Sequence, residues 1–504
     1  MRTFERTLES TLTTKELSEF LEKFLDSSVS GVTSDSRQVK LGTIFVAVHG
    51  GTQDGHLFIP EAEKAGAVLI IGERDLLPSE KPTKIPYLKV PESREALAQA
   101  ASLFYKNPSQ SLLMIGVTGT SGKTTTTYLL ESILQAAGCQ VGVIGTINIR
   151  YGKTVIPSSL TTPDSVELQR ILALMKSEGI TAVVMEVSSH SLKQRRVSFI
   201  AFDGMIFSNL TPEHLDFHPT MEDYFDSKAY LFTHLARFSS SVKKHPVAVI
   251  NSEKDQGDDY GKRLISIIQA DPHNPLQVSC IDETRGLQVG LEGIRGELKG
   301  VKVHSSFTGQ FNVSNIASAV VLSQALKIPN PAIEEGISQL KGVPGRLEKV
   351  ENSHGIHVWV DYAHKPDALQ KVLLSLRKLQ TGGRLITVFG CGGDRDRQKR
   401  PIMGQIAAEC SDHVFITSDN PRTEDPHLII QQILEGTQNH SNITVESDRR
   451  KAITAALHFA KKGDLVLIAG KGHEDYQILG KKKVHFDDRE VIHDAFLNYD
   501  AWKA

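Results

Sequence analysis

Short apolar runs alternate with segments of helical periodicity through the middle of the chain. The runs at 112–118, 141–146, 182–187, 203–208 and 246–251 predict strands, and helical patterns lie near 122–137, 165–178 and 221–236. This alternation is typical of a mostly parallel sheet with helices on both faces. The middle of the chain is therefore predicted to be a doubly wound α/β domain.

A second alternating block follows the turn 342–345, with predicted strands at 356–361, 384–389, 413–417 and 464–469 and helices near 366–380, 398–410 and 450–462. Before the middle block, runs at 43–48 and 67–71 indicate a small mixed α/β unit, whereas 252–305 shows no interpretable pattern. We therefore predict an α/β protein of three domains: 1–107, small and mixed; 108–343, doubly wound with a mostly parallel sheet; and 344–504, Rossmann-like.

Composition limits the classes of function. Lys+Arg 57 against Asp+Glu 59 leaves a formal charge of −2, which provides no broad attraction to nucleic acid or anionic membranes. The four cysteines show no metal-ligand spacing, and no apolar stretch is long enough to insert into a membrane. The N-terminus, with Glu5 and Glu9, lacks the apolar core of a signal peptide, so we expect a cytoplasmic protein. We also expect it to be a monomer that acts on small molecules.

A glycine-rich segment lies between the first strand and the first helix of the middle domain. It consists of Gly119, Thr120, Ser121, Gly122, Lys123, Thr124 and Thr125. In this context backbone N–H groups surround phosphate, the lysine reaches the terminal phosphates, and the next hydroxyl binds Mg²⁺. Val117 occupies the place where the usual motif has its first glycine. The segment still predicts a P-loop, against the alternative of a plain glycine-rich turn before a helix.

Further polar clusters in the middle domain lie at 161–164, 186–190, 208–216 and 224–228. Because the carboxyl ends of parallel strands meet at one sheet edge, we expect these clusters to share the site of the P-loop. Glu186 and His214 could hold a second Mg²⁺ near the γ-phosphate. Taken singly, Glu186 could equally be a capping or ion-paired residue and His214 a hydrogen-bonded loop histidine.

The predicted strands of the last domain end in polar segments at 361–366, 390–397, 419–422 and 470–474. Arg395 and Arg422, together with Asp419 and Glu474, could form a pocket for a zwitterion. A guanidinium grips a carboxylate in bidentate fashion, and carboxylates receive an ammonium group. The alternative is that both arginines are surface residues paired with neighbouring acids.

Together these motifs resemble those of the Mur ligases, the ATP-dependent amino-acid-adding enzymes of bacterial cell-wall synthesis. The matching segments run through the chain in family order: Gly119–Thr125, Thr161–Pro163, Glu186–His190, Asn209–His214, Tyr224–Lys228, Asn312–Asn315, Gly345–Arg346, Asp361–His364, Gly392–Arg395 and Asp419–Arg422. The resemblance implies an ADP-forming ligase of peptidoglycan precursor synthesis, with ATP as co-substrate and two Mg²⁺ ions. Its reaction would add meso-diaminopimelate to UDP-MurNAc-L-Ala-D-Glu through an acyl phosphate.

The resemblance also assigns the binding residues. To the P-loop it adds, for ATP, Asn315, Arg346 and Asp361. For the UDP-MurNAc-dipeptide, whose UDP part the first domain would hold, it assigns Ser36, Gly51, Thr52, Thr161, Thr162, Ser188, Gln194 and Arg196. For meso-diaminopimelate, on the last domain, it assigns Arg395, Asp419, Asn420, Pro421, Arg422, Gly470 and Glu474. Where some relatives have a histidine–glutamine pair, this chain has Gly51-Thr52, so contacts there would come from the backbone or the threonine hydroxyl.

Lys228 is the unusual member of the set. By resemblance it is carbamylated to N6-carboxylysine, which replaces a cation that would repel Mg²⁺ with an anion that can bind it. The implied metal ligands are Thr124, Glu186, His214 and the carbamate of Lys228, and the implied catalytic residues are Lys123, Lys228, Glu186 and His214. The alternative is a plain lysine paired with Asp226 or Glu222.

The segment Asp419–Arg422 carries the predicted specificity. By resemblance, its arginine reads the distal carboxylate of meso-diaminopimelate, and a buried arginine left unpaired would disfavour L-lysine. An L-lysine-adding or other Mur-type ligase and a folylpolyglutamate synthetase-like ligase remain alternatives, although the UDP-type first domain and Asp419–Arg422 argue against the latter. A nucleotide-dependent switch or scaffold is the alternative outside the enzymes, and it would need no amino-acid pocket.

Overall fold

The structure is a computed structural model of the 504-residue chain, and it describes residues 11–25, 28–51, 53–253, 259–281, 284, 286–380 and 382–497. The chain divides into two compact units, Met1–Glu283 with Ala317–Gly336 and Thr284–Ile316 with Ile337–Ala504. Among the described residues, no helix combines the length and apolar character that crossing a bilayer requires. The predicted boundaries at 107/108 and 343/344 remain predictions.

The first unit opens with a parallel four-stranded sheet of order β1-β2-β3-β4. Its elements are α1 (Thr14–Phe24), β1 (Gly31–Thr33), β2 (Thr43–Val46), α2 (Ile59–Ala65), β3 (Ala67–Gly72), β4 (Tyr87–Lys89) and α3 (Ser93–Phe104). Helix α1 begins with a capping box between Thr13 and Glu16 and buries Leu17 and Leu21, one turn apart, in the core of this sheet. The two strands predicted here are confirmed.

An eight-stranded sheet forms the centre of the first unit. Its region contains β5 (Leu113–Thr118), α4 (Lys123–Ala136), β6 (Val141–Ile144), β7 (Asn148–Tyr151), β8 (Thr154–Pro157), α5 (Ser165–Ser177), β9 (Ala182–Glu186), α6 (Ser189–Lys193), β10 (Gly204–Phe207), α7 (Met221–Tyr230), α8 (Ala236–Ser241), β11 (Val247–Asn251), α9 (Tyr260–Ala270) and β12 (Gln277–Ile281). The strand order is β12-β11-β10-β5-β9-β6-β7-β8, and all neighbours are parallel except the hairpin strands β7 and β8. The predicted mostly parallel, doubly wound sheet is confirmed.

Burial explains why these strands are readable in the sequence. Every residue of β6, β9 and β10 is buried, and strands covered by helices on both faces read as continuous apolar runs. The predicted helix 221–236 is instead α7 followed by a π-helical turn, Leu231–Leu235, and then α8. Such turns shift the helix register and occur often near functional residues.

The second unit begins where the sequence showed no pattern. A three-stranded antiparallel sheet is formed by β13 (Leu287–Gly290), β14 (Gly293–Leu298) and β15 (Val301–Ser305). Strand β13 ends in glycine, β14 contains two glycines, and β15 buries only alternate residues, so none of the three is a long apolar run. Helices α10 (Gln310–Ala325) and α11 (Asn330–Gln339) follow, at the positions where the division between units falls.

A six-stranded sheet of order β16-β17-β21-β18-β19-β20 forms the rest of the second unit, parallel except for β16. Its region contains β16 (Glu348–Val350), β17 (His357–Asp361), α12 (Pro366–Leu379), β18 (Leu385–Phe389), α13 (Lys399–Cys410), β19 (His413–Ile416), α14 (Pro426–Leu434), β20 (Ile443–Val445), α15 (Arg449–Phe459), β21 (Leu465–Ala469), the hairpin β22 (Tyr476–Leu479) and β23 (Lys482–His485), and α16 (Asp488–Leu497). All four strands and three helices predicted for this block are confirmed.

Strand order places the predicted site segments. In the eight-stranded sheet the adjacent parallel strands β10, β5, β9 and β6 end at one edge. In the six-stranded sheet β17, β21, β18 and β19 do the same. Each sheet thus carries its own cluster of polar loops at the carboxyl ends of its strands, where ligands of such folds bind.

Candidate active site

The P-loop connects β5 to α4, and its backbone needs glycine. Gly119 has φ +143° and Gly122 φ +88°, and a Cβ on Gly119 would lie 2.0 Å from the hydroxyl oxygen of Ser208. The Lys123 ammonium donates to the backbone oxygens of Gly119 and Thr120 at 2.9 and 2.8 Å. The lysine is therefore folded over the loop, directly at the N-terminus of a helix whose first N–H groups suit a phosphate.

The loop after β10 fixes the shape of the P-loop. The side-chain oxygen of Asn209 accepts from the Ser121 N–H at 2.8 Å, and its amide nitrogen donates to the Ser121 oxygen at 3.1 Å. The Ser208 hydroxyl donates to the same oxygen at 2.6 Å, and the Thr120 N–H donates to the Asn209 oxygen at 2.9 Å. These bonds hold the P-loop open as a rigid turn.

Glu186, at the end of β9, is buried with its carboxylate beside the P-loop. One oxygen accepts from the Thr124 hydroxyl at 3.0 Å and from the Thr146 N–H at 2.9 Å, and the other accepts from the Thr146 hydroxyl at 3.0 Å. Two predicted metal ligands, Thr124 and Glu186, are thus brought together. Thr146, in the loop after β6, was not predicted, because a threonine between apolar residues gives no signal of its own.

Among the described residues, no cluster of three or more histidine, cysteine, aspartate or glutamate side chains is arranged to hold a metal ion. The oxygens of Thr124 and Glu186, at 3.0 Å from each other, are nevertheless hard donors of the kind that Mg²⁺ prefers. Both oxygens therefore suit magnesium ions that take further ligands from phosphate and water.

Lys228 lies on α7 and is buried. Its ammonium donates to the Gly119 backbone oxygen at 2.8 Å, so this oxygen accepts from both Lys123 and Lys228. The Lys228 ammonium also lies 4.7 Å from the centre of the Tyr224 ring. The Tyr224 hydroxyl is 3.0 Å from the Thr120 hydroxyl, which ties α7 to the P-loop. Burial, reinforced by the charge of Lys123, lowers the pKa of Lys228 well below its ordinary value.

The alternative of a lysine paired with Asp226 or Glu222 is wrong for Lys228. The Glu222 carboxylate is ion-paired with Arg263 instead, and the Lys228 ammonium is bonded to a backbone oxygen. The Lys228 side chain is thus held by the P-loop backbone rather than by a surface carboxylate.

His214 lies in the loop after β10 with a left-handed backbone, φ +58°. Its ring meets the ring of His190 edge-on at 4.7 Å, and its Nε2 lies 3.7 Å from a Glu213 carboxylate oxygen. Burial lowers the pKa of His190, which is stacked on Phe217. The ring centres of His214 and Tyr224 are 6.2 Å apart, and the Lys228 ammonium lies 4.7 Å from the same tyrosine ring, so the loop that carries His214 lies near Lys228.

The predicted dipeptide-binding residues of the middle domain form one network. The Thr162 hydroxyl donates to the Glu186 backbone oxygen at 2.9 Å and lies 3.3 Å from the Ser188 hydroxyl. Arg196 donates to the Thr162 oxygen at 3.0 Å and to the side chain of Gln194, and burial lowers the pKa of its guanidinium. The Thr161 hydroxyl is 3.1 Å from that of Thr146, which joins the network to Glu186.

Four further predicted residues lie in other segments. Ser36 begins a 3₁₀ turn after β1 that is capped by Asp35, and Gly51 is exposed after β2. Thr52 lies outside the described residues. Asn315 lies on α10, where its amide donates to the Asn312 side chain at 2.9 Å.

Asp361 ends β17 as a buried carboxylate. It accepts from the Leu347 N–H at 2.6 Å and from the Ala363 N–H at 2.8 Å. Burial raises the pKa of Asp361 to about 6, against the opposing charge of Arg346. The Arg346 guanidinium lies 5.0 Å from the centre of the Tyr362 ring, so two residues predicted for ATP are neighbours here.

Four residues of the second unit form a buried polar cluster. The Asn420 amide donates to the Glu474 carboxylate at 2.8 Å. The Lys471 ammonium lies 3.2 Å from the Asn420 side-chain oxygen, 3.5 Å from Glu474 and 3.8 Å from Asp419. Burial raises the pKa of Glu474. Sequence analysis assigned Asp419, Asn420, Glu474 and the neighbouring Gly470 but not Lys471, although its place between two glycines at a strand end was a usable signal.

Arg422 and Arg395 flank this cluster. Arg422 has φ +53°, and its guanidinium donates to the Gly393 backbone oxygen at 2.7 Å. Arg395 is exposed and donates to the Asp394 oxygen at 2.9 Å. Both guanidinium groups thus bond backbone oxygens in the structure, which leaves further donor groups for an anionic ligand.

The loops that carry the two arginines are joined. The Asp394 carboxylate accepts from the hydroxyl and N–H of Thr423, and the Gly393 N–H donates to the Asn420 oxygen at 2.9 Å. The fully buried Arg400 binds Glu424 and also the Gly392 oxygen. These bonds fix the spacing of Arg395 and Arg422.

Comparison with known proteins places the chain in a family. The models of the "Mur ligase family, catalytic domain", the "Mur ligase middle domain" and the "Mur ligase, glutamate ligase domain" match residues 28–105, 117–323 and 345–472. A Geobacter metallireducens protein named UDP-N-acetylmuramoyl-L-alanyl-D-glutamate--2,6-diaminopimelate ligase is 45% identical over 489 residues, 93% of this chain and 94% of the relative. The chain belongs to the Mur ligase family.

Further relatives agree with this placement. A Geobacter sulfurreducens protein of the same name is 43% identical to this Mur ligase over 95% of the chain and 96% of the relative. A solved structure of a 2,6-diaminopimelate ligase of this name matches with a TM-score of 0.68 and 32% identity, covering 94% of this chain and 96% of the other. The predicted family and three-domain α/β fold are confirmed, and the chain is an ATP-dependent, ADP-forming ligase.

Proposed function

We propose that this Mur ligase joins meso-diaminopimelate to UDP-N-acetylmuramoyl-L-alanyl-D-glutamate, consuming ATP and forming UDP-MurNAc-tripeptide, ADP and phosphate. The relatives described above are named for ligation of these partners. The observation that carries the proposal is the turn after β19, where Arg422 stands beside the Asp419, Asn420 and Glu474 cluster. That arrangement supplies both a guanidinium and carboxylates, as a zwitterion with a second charged end requires.

The P-loop would bind the phosphates of ATP. Lys123 and the N-terminus of α4 would neutralise the charge that develops on the transferred phosphoryl group. We propose Thr124 as a ligand of one Mg²⁺, and Glu186, His214 and the carbamate of Lys228 as ligands of a second. Bound there, magnesium would supply further charge neutralisation on the phosphate oxygens.

The carbamate of Lys228 has support in its surroundings. Only a neutral amine adds to carbon dioxide, and burial beside Lys123 favours the neutral form of Lys228. The product keeps one hydrogen on Nζ, so the bond to the Gly119 oxygen can persist while the new carboxylate occupies the metal site. The proton released in the addition goes to solvent.

The residues of this chain then divide the work of ligation. The network of Thr162, Ser188 and Arg196 would position the dipeptide so that the γ-carboxylate of its D-glutamate attacks the γ-phosphate of ATP. The resulting acyl phosphate is attacked by a neutral amine of diaminopimelate, while Glu474 and Arg422 hold the amino acid and the proton lost from the nitrogen leaves with the phosphate. The tetrahedral adduct expels phosphate and leaves the amide. We propose that the enzyme works as a cytoplasmic monomer.

The test is ADP release measured with ATP, UDP-MurNAc-L-Ala-D-Glu and a panel of amino acids that includes meso-diaminopimelate, L-lysine and L-glutamate. We expect release to require both the nucleotide precursor and meso-diaminopimelate. The Arg422→Ala variant should lose at least about tenfold in its preference for diaminopimelate over lysine. ADP release with L-lysine but not diaminopimelate would indicate a lysine-adding ligase, and release only with L-glutamate would indicate a folylpolyglutamate-type ligase. ADP release without any amino acid would exclude ligation.

A further inference from the structure

Lys471 is a fully buried lysine in contact with three residues assigned to the amino-acid pocket. Its ammonium lies 3.2 Å from the Asn420 oxygen, 3.5 Å from Glu474 and 3.8 Å from Asp419. It is also 5.6 Å from the centre of the Tyr476 ring. A buried cation is retained only where anions and hydrogen-bond acceptors compensate it, and this one has both.

Formal charges in the cluster do not cancel. Asp419 and Glu474 bring two negative charges and Lys471 brings one positive charge, which leaves one negative charge in a largely buried place. Without Lys471 the same space would hold two carboxylates facing each other, and one of them would take up a proton. With Lys471 in place, the cluster has one net negative charge, which the ammonium group of a bound amino acid would neutralise.

We infer that Lys471 is a positioning residue for the incoming amino acid: it holds the Glu474 carboxylate, ionised and bonded to Asn420, ready to receive the ammonium group of the substrate. This inference rests on the proposed function, since it assigns Lys471 to the pocket for diaminopimelate. The Asn420 side chain transmits the constraint, because its oxygen faces Lys471 while its amide nitrogen donates to Glu474.

The charged and titratable groups that act on Glu474 from the elements around it are Lys471, Asp419, Tyr362, Tyr476 and Arg449. Burial raises the pKa of Glu474, and Lys471 is the largest influence that lowers it again. Removing the lysine should raise that pKa further and so increase the protonated fraction of Glu474.

The experiment measures ADP release at saturating ATP and nucleotide precursor while meso-diaminopimelate is varied, between about pH 6.5 and about pH 9. In Lys471→Met we expect KM for diaminopimelate to rise about tenfold or more near neutral pH and KM for ATP to change less than about twofold. The rise should shrink toward the alkaline end, where Glu474 ionises without help. Lys471→Arg should recover much of the wild-type profile, and Lys451→Met, on the exposed surface of α15, serves as the control for loss of a lysine charge.

A second comparison tests whether Lys471 acts through Glu474. The double variant Lys471→Met/Glu474→Gln should have the same KM for diaminopimelate as Glu474→Gln alone, because Lys471 acts through Glu474. Additive effects, or a pH-independent rise in KM for both substrates, would overturn the inference and leave Lys471 a structural residue. If the wild-type enzyme shows no release that depends on diaminopimelate, the proposed function itself fails.

Discussion

At the residue scale, three buried or half-buried lysines of this ligase behave differently because their neighbours differ. Lys123 donates to two backbone oxygens of the P-loop, Lys228 shares one of those oxygens inside a space that favours its neutral form, and Lys471 faces two carboxylates. The residue type is therefore visible in the sequence, whereas its protonation and role depend on contacts made across the sheet edge.

Replacement of Lys228 tests the proposed carbamate. We expect Lys228→Ala to lower ligase activity by more than about 10³-fold, equivalent to about 4 kcal/mol of transition-state stabilisation. A short carboxylic acid added to the assay should restore part of the rate by occupying the vacated position, while Lys262→Ala, at an exposed ion pair on α9, should leave activity unchanged. Full activity in Lys228→Ala would remove the carbamate from the mechanism.

The buried carboxyl of Asp361 predicts a specific pH dependence of stability. Its pKa is raised to about 6, so folding favours the protonated form, and this contribution is complete below the unfolded pKa of 3.8 and lost as the pH rises through about 6. The stability advantage of the wild type over Asp361→Asn should therefore shrink by about 3 kcal/mol between about pH 4 and about pH 7. Urea unfolding followed by fluorescence of Trp359, in the same strand, measures it; a constant difference would contradict the assignment.

At the element scale, strand β5, its glycine turn and helix α4 form one phosphate-binding unit, in which Gly119 lies where a side chain would clash. Gly119→Ala would place a methyl group 2.0 Å from the Ser208 hydroxyl in a backbone with φ +143°. We expect the turn to shift and KM for ATP to rise at least about tenfold. Gly138→Ala, also at positive φ but with open space around it, should lower stability by about 1 kcal/mol without changing KM for ATP. Equal effects of the two variants would contradict this account.

The elements also show what sequence analysis can and cannot predict. Parallel strands such as β9 could be predicted because a strand that is buried on both faces is apolar at nearly every position. The hairpin β7–β8 was missed because β8, which contains the exposed Val155, is buried at no position. Glycines hid β13 and β14, and alternate exposure hid β15. Site residues at strand ends followed from topology, and Lys471, between two glycines at the end of β21, could have been assigned in the same way. Thr146 could not, since only the folded chain brings it to Glu186.

At the scale of the whole molecule, each of the two units contains buried charged groups. The net charge of −2 does not indicate how these groups are paired. In the second unit, Arg449 on α15 and Asp488 on α16 form a fully buried bidentate pair, and the same guanidinium donates to the Ala469 oxygen at the end of β21. The pair therefore anchors the last helix beneath the strand that leads into the Gly470–Glu474 loop.

This pair predicts that the two units respond unequally to one substitution. Asp488→Asn leaves the buried Arg449 without its counter-ion, so the second unit should lose about 3–5 kcal/mol of stability. The control, Asp494→Asn, breaks an exposed ion pair between the same two helices and should cost at most about 1 kcal/mol. Hydrogen exchange of the full-length protein, analysed peptide by peptide, separates the units. Protection should fall in the strands of the six-stranded sheet and stay at the wild-type level in β5, β9 and β10 of the first unit. Equal loss of protection in both units, or equal effects of the two variants, would show that the buried pair does not stabilise the second unit in this way.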